Sequence, residues 1–109
     1  TTVAGLPLMV LGADCLPVLL WRRDRPGVAA AHAGWRGLVG GVLGAAVAAL
    51  GDPASTGAAI GAGIGPCCYE VGDEVVAAFD DRYFSFRRAG GPCGRQAGVI
   101  WVDDGGAGA

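Results

Sequence analysis

The sequence predicts a layered α/β domain, on three observations. Two apolar, strand-like segments flank a polar turn, a run with apolar residues three and four apart follows, and a third short apolar segment comes after a clear helix stop. With 109 residues the chain is enough for one small domain and not two. The hydrophobic fraction of 52% suffices in composition for a core, but 21 residues are glycine. Small side chains bury little area each, and glycine loses the most conformational entropy on folding, so the core of this piece alone is expected to be thin.

The elements follow in order. Residues 6–21 (LPLMVLGADCLPVLLW) are apolar but broken by Gly and two Pro, which favours a buried strand with an irregularity near residues 12–14 over a helix. Residues 22–27 (RRDRPG) carry a Pro-Gly step and read as a turn, and residues 28–32 (VAAAH) as the next strand. Trp35, Leu38, Val42, Leu43, Ala46, Val47 and Leu50 then fall at helical spacing, and Gly51-Asp52-Pro53 ends the pattern. Glycines at 37, 40, 41 and 44 weaken that helix by roughly 1 kcal/mol each relative to Ala, so a sheet packed closely on the glycine face is expected to compensate. Residues 57–64 (GAAIGAGI) read as a third strand, 65–69 as a turn, and 71–79 as a short helix with Asp73 and Glu74 in its first turn. Short strands are expected at 83–86 and 99–102, and a frayed tail at 103–109.

Composition excludes several functions. The net charge is −2 and no basic tract occurs, which argues against a nucleic-acid module. The arginines sit in short groups (Arg22, Arg23 and Arg25; Arg87 and Arg88), a pattern suited to anion handling or turn solvation. No Cys-x-x-Cys pair exists among Cys15, Cys67, Cys68 and Cys93, so zinc-ribbon and thioredoxin readings fail on spacing, and the adjacent Cys67 and Cys68 would bridge only with strain. No secretory signal opens the sequence and no apolar run reaches the ~18 residues needed to cross a bilayer. A reducing, cytoplasmic setting without membrane partners is therefore expected.

The most informative pair is Cys15 and His32. If residues 6–21 and 28–32 form a hairpin about the 22–27 turn, Leu20 falls near Val28. A one-residue bulge at Pro17, or a modest turn shift, then makes Cys15 and His32 cross-strand neighbours, about 4.5–5.5 Å apart at Cβ. A thiol and an imidazole so placed can share a metal or act as nucleophile and base. The bland alternative is a small core cysteine and a satisfied histidine, but the chain's single His lies beside a Cys with Asp14 next to it. After His32 the sequence AGWRG ends a strand and opens a helix, where backbone N–H groups beside Arg36 could receive an anion, unless Arg36 only solvates the helix start and Trp35 fills the core. Gly61, Gly63 and Gly65 do not make a dinucleotide fingerprint, because Pro66 follows and no helix opens there; they mark close backbone approach. Asp73, Glu74, Asp80 and Asp81 read as solvated helix ends.

Three uninterrupted motifs, ADCLPVLL at 13–20, HAGWRG at 32–37 and IGPCCYEVG at 64–72, stand in the order found in the YfiH/laccase-domain family, which the chain resembles over residues 6–80. The segment FSFRRAGGPCGRQAGVIW at 84–101 is similar to that family's C-terminal end. The family has been labelled multicopper polyphenol oxidase and is described as a zinc-dependent purine nucleoside phosphorylase with adenosine deaminase activity. The resemblance implies a layered α/β sandwich with helices on a mixed sheet, incomplete over these 109 residues. It also implies a metal site of two His and one Cys, onto which Cys15 and His32 map. The third ligand is expected in a segment upstream of the ADC motif, so the chain reads as a truncated member with weak or no activity by itself.

On the same resemblance Arg36 contacts phosphate or substrate, Asp14 is a candidate acid or base, and Gly34, Cys67 and Tyr69 line the substrate pocket. The implied partners are phosphate and adenosine, inosine or related purine nucleosides, and the implied cofactor is zinc, ahead of copper. Two alternatives stay open. The family's fold is related to a glutamine-deamidating toxin with a Cys–His pair, so Cys15 could be a nucleophile and His32 its base. Copper-dependent phenol oxidation ranks lower, because one His cannot supply a multicopper cluster.

Overall fold

The computed structural model describes residues 1–65, 69–78 and 96–103. Five strands and three helices are present among them: β1 (Leu8–Gly12), β2 (Leu16–Arg22), β3 (Val28–Ala33), α1 (Trp35–Val39), α2 (Val42–Leu50), β4 (Thr56–Ile60), α3 (Asp73–Ala78) and β5 (Gln96–Ile100). A 3-10 turn, Pro53–Ser55, joins α2 to β4. The strands make a three-stranded sheet in the order β3-β2-β4 and a two-stranded sheet of β1 and β5. Every ladder is antiparallel, and the parallel component of the expected mixed sheet reduces to an isolated bridge between Ala4 and Val102. The expected strands at 83–86 and the tail beyond 103 lie outside the described residues.

The expected single strand over residues 6–21 is in fact two. The irregularity near Gly12 is a bend at 13–15 that sends β1 to pair with β5 and β2 to pair with β3 and β4. β1 can make that choice only because a partner arrives some ninety residues later, at the Leu8–Ile100 pairing. The expected helix is likewise divided. Gly40 and Gly41 interrupt it, and Gly41 holds φ +85°, a conformation that β-carbon crowding denies to most residues.

Helix α2 lies on one face of the three-stranded sheet. Val18, Leu20, Ala31, Ala33 and Leu50 form the buried cluster, with Val42, Leu43, Ala46 and Val47 packed against it. Burial of such side chains contributes about 1.5–3 kcal/mol each for the larger ones, and here many are alanines, as the composition led one to expect. Of the helix glycines Gly37 approaches the sheet, where a β-carbon would stand 3.3 Å from the His32 carbonyl oxygen, but Gly41 and Gly44 do not. A β-carbon on Gly44 would meet nothing within 4 Å, so within α2 the compensation comes from the Val and Leu stripe packed on the core.

The turn between β2 and β3 is organised by Arg22. Its backbone N–H donates to the Gly27 carbonyl at 2.9 Å. Its guanidinium donates to both carboxylate oxygens of Asp24, at 2.9 and 2.7 Å, and to the Leu50 carbonyl at 2.6 Å. Arg25 donates to the same carbonyl at 3.1 Å. Two cations thus sit at the C-terminus of α2, where exposed carbonyls and the helix dipole favour them. Arg22 and Arg25 tie the turn to the end of α2.

Candidate active site

The site is set by the register of β2 on β3. Trp21 pairs with Val28, Pro17 with His32 and Leu16 with Ala33. The ladder is shifted from the expected one, because the turn closes from Arg22 to Gly27 and strand pairing starts immediately outside it. His32 therefore opposes Pro17, and the next step of the ladder sets Cys15 against Gly34. Cys15 and His32 share a face but are diagonal neighbours, not an opposed pair, and diagonal positions on a sheet are still within reach of side chains.

The position opposite Cys15 has no side chain, and that brings the two groups together. A β-carbon placed on Gly34 would stand 3.1 Å from Cys15 Sγ and 3.9 Å from His32 Nε2. The sulfur and the ring nitrogen thus border one small void. Cys15 is half-buried and His32 exposed, so the void opens to solvent on the imidazole side. Cys15 is a free thiol.

A second strip of backbone fixes the cysteine. Gly61 N–H donates to the Pro17 carbonyl at 2.8 Å and Ile64 N–H to the Asp14 carbonyl at 2.9 Å, continuing the β4 ladder past its end and bracketing Cys15. The approach is close because the residues facing it lack side chains. A β-carbon on Gly61 would stand 2.6 Å from Pro17 Cγ, and one on Gly63 would stand 2.5 Å from Leu16 Cδ2. The glycine strip is thus a place of close approach, as its spacing predicts. Pro17, Gly61 and Gly63 are site-supporting residues; glycine at every second position is the signal in the sequence that could have attached them to Cys15.

The other candidate residues are more dispersed. Asp14 is half-buried and held through its carbonyl by Ile64. Arg36 is exposed at the start of α1, its guanidinium 5.0 Å from the Trp35 ring centroid, a cation–π placement. Helix α1 has five residues and Gly34 at its N-cap makes no side-chain capping bond, so the helix start offers little dipole to an anion. Tyr69 is half-buried, and Cys67 lies outside the described residues. No cluster of three or more His, Cys, Asp or Glu side chains occurs among the described residues. Cys15 and His32 supply two donors of the kinds that suit zinc, a cysteine sulfur and an imidazole. The residues present therefore fit part of a metal's coordination shell.

The family model of the multi-copper polyphenol oxidoreductase laccases matches residues 1–82. The chain belongs to this family. It is 49% identical over 83 residues to a purine nucleoside phosphorylase of Xylella fastidiosa strain 9a5c, covering 75% of this chain and 32% of that protein. It is 51% identical over 76 residues to the purine nucleoside phosphorylase YfiH of Escherichia coli K12, covering 69% and 31%. It is 40% identical over 89 residues to an adenosine deaminase, RL5, of an unknown prokaryotic organism, covering 78% and 34%. Among solved structures, a Neisseria meningitidis protein is 49% identical with a TM-score of 0.62, over 67% of this chain and 31% of that one. The chain thus spans about a third of the length of the relatives it matches. All three quoted motifs, and with them Cys15, Gly34 and His32, fall inside the laccase-family match. Among the described residues no helix is long and apolar enough to cross a membrane.

Proposed function

We propose that this chain carries part of the active site of a zinc-dependent purine nucleoside phosphorylase with adenosine deaminase activity, working on adenosine, inosine and related nucleosides. The observation that carries the reading is the shared void bordered by Cys15 Sγ and His32 Nε2. The names of the relatives supply the substrate class. When bound, the metal supplies Lewis acidity toward water or a substrate oxygen. Cys15 and His32 hold it, His32 through the ring nitrogen that faces the void. Arg36 contributes a planar, permanently charged donor set for phosphate. In phosphorolysis a phosphate oxygen bonds to ribose C1′ as the bond from C1′ to the purine nitrogen breaks, and the departing purine takes up a proton. Asp14, beside Cys15, is the candidate for handling that proton. In deamination water adds at purine C6 and ammonia leaves. Gly34, Cys67 and Tyr69 complete the proposed pocket, and the setting is cytoplasmic, with the Cys15 thiol kept reduced for metal binding.

Metal analysis of the purified chain, with assays for adenine and inosine release from adenosine, tests this on the chain and on a version extended to the relatives' length. Bound zinc, with activity in the extended version that Cys15→Ser and His32→Ala each lower at least a hundredfold, is expected. Full activity in either variant would sink it. A second reading has the same geometry behind it: Cys15 as nucleophile and His32 as base of a thiol hydrolase or deamidase. Alkylation separates the two. Zinc protects a ligand thiol and a chelator exposes it, whereas a nucleophile reacts at the same rate with or without zinc. Copper-dependent phenol oxidation, which the family's name suggests, predicts an intense blue absorption with copper bound.

A further inference from the structure

Gly34 is glycine for a reason that neither its backbone nor its helix explains. Its φ of −80° and ψ of 172° are ordinary extended geometry open to any residue. It is the N-cap of α1 and makes no side-chain capping bond, at a position where Ser, Asp or Asn would hold the helix start better than glycine does. Local energetics therefore favour a side chain here. What opposes one is the space: a β-carbon would press on Cys15 Sγ at 3.1 Å, closer than a carbon and a sulfur sit comfortably, and would stand 3.9 Å from His32 Nε2.

From this we infer that Gly34 is a positioning residue for the metal: its missing side chain sets the gap between thiol and imidazole, and so the ability of the pair to close on one ion. The inference rests on the metal reading above. An added methyl group does not remove either donor. It moves the sulfur by a few tenths of an ångström and fills the volume between the donors. Metal affinity should therefore fall while the fold persists, since the rest of β2, β3 and α2 is untouched.

Cobalt(II) titration of the metal-free 109-residue chain tests this. It is read by the thiolate-to-cobalt charge-transfer absorption and taken as the difference from Cys15→Ser, so that the other cysteines cancel. Gly34→Ala is expected to weaken the Cys15-dependent binding at least tenfold while far-ultraviolet circular dichroism keeps its wild-type shape. Gly27→Ala is the control for crowding in general. Its β-carbon would meet Arg22 Cγ at 3.2 Å, an equally tight contact at the far end of the same hairpin, and it should bind cobalt as wild type does. Wild-type affinity in Gly34→Ala, an equal loss in Gly27→Ala, or loss of the folded signal in Gly34→Ala would each overturn the gap role while leaving the metal reading intact. Absence of any Cys15-dependent band both in the wild-type chain and in the version extended to the relatives' length would overturn the metal reading, and the inference with it.

Discussion

At the scale of single residues, the charged groups of this chain work mainly for the fold. Arg22 is buried, its side chain 4% exposed, whereas the carboxylate it grips, Asp24, is half exposed. Arg22→Leu would release Asp24 to water at little cost but leave the Leu50 carbonyl with only the longer bond from Arg25. An under-satisfied buried acceptor and a lost charge-assisted bond together cost about 2 kcal/mol, to be read as a lower urea midpoint at unchanged slope. The same contacts set the acid limit of stability. The hydrogen bond from Arg22 holds the Asp24 carboxyl below its ordinary 3.8, against the opposing pull of desolvation. The Ser55 hydroxyl and then the Ala54 N–H do the same for Asp52. The unfolded chain therefore binds protons before the folded one as pH falls. Both groups stabilise the fold above 3.8, and that contribution is lost as pH drops through 3.8 toward the lower folded values. The melting temperature should be level above about pH 5 on account of these two groups and decline below it, with a shallower decline in Asp52→Asn. An unchanged acid slope in that variant would assign the loss to other carboxylates.

At the scale of elements, what was legible in the sequence was what is decided locally. The helix stop at Gly51-Asp52-Pro53 is legible because the signal is in the residues themselves: α2 ends at Leu50, and Asp52 caps the 3-10 turn that begins at Pro53. The glycines of the helix show their cost in the sequence but not their consequence, the left-handed Gly41 that separates α1 from α2. Gly44 separates these two roles. It lies inside α2 with open space where a β-carbon would go, so Gly44→Ala should stabilise by about 1 kcal/mol. For a chain of this size that raises the melting temperature by roughly 4–8 °C. Gly41→Ala, forced to positive φ, should lower it instead. The candidate site was legible as a pair of residues and not as a register. The motif placed Cys15 and His32 on adjoining strands, but whether they stand opposite or diagonal depends on how the Arg22–Asp24 fork closes the turn, which is a matter of side-chain geometry and not of spacing. The part played by Gly34 was invisible for the same reason: a missing side chain has meaning only once its neighbours are known.

At the scale of the whole molecule, the two sheets differ in how well they are covered. The three-stranded sheet has α2 on one face. On the other, Leu19 and Pro17 approach Gly98 of β5, and a cavity of about 310 Å³ remains between them, lined by Pro17, Leu19, Ala59, Ile60 and residues of β5. The β1–β5 ribbon points Val10 inward, 8% exposed, but turns Met9 and Leu11 outward at 63% and 57%, with Val99 opposite Met9 and Trp101 beyond it, at 38% and 56%. A period-2 pattern should put polar residues on a solvent face; here both faces of the ribbon are apolar, and among the described residues nothing covers the outer one. Adjacent apolar side chains so exposed favour association between copies of the chain, because contact removes that area from water at about 25 cal/mol per Å². Light scattering of the isolated chain should therefore show mass rising with concentration. Met9→Lys with Leu11→Lys should suppress the rise while leaving the urea midpoint within about 0.5 kcal/mol of wild type, since neither side chain is in the core. If the double variant associates as strongly as wild type, the contact lies elsewhere, with exposed Ile60 at the end of β4 as the next surface to change.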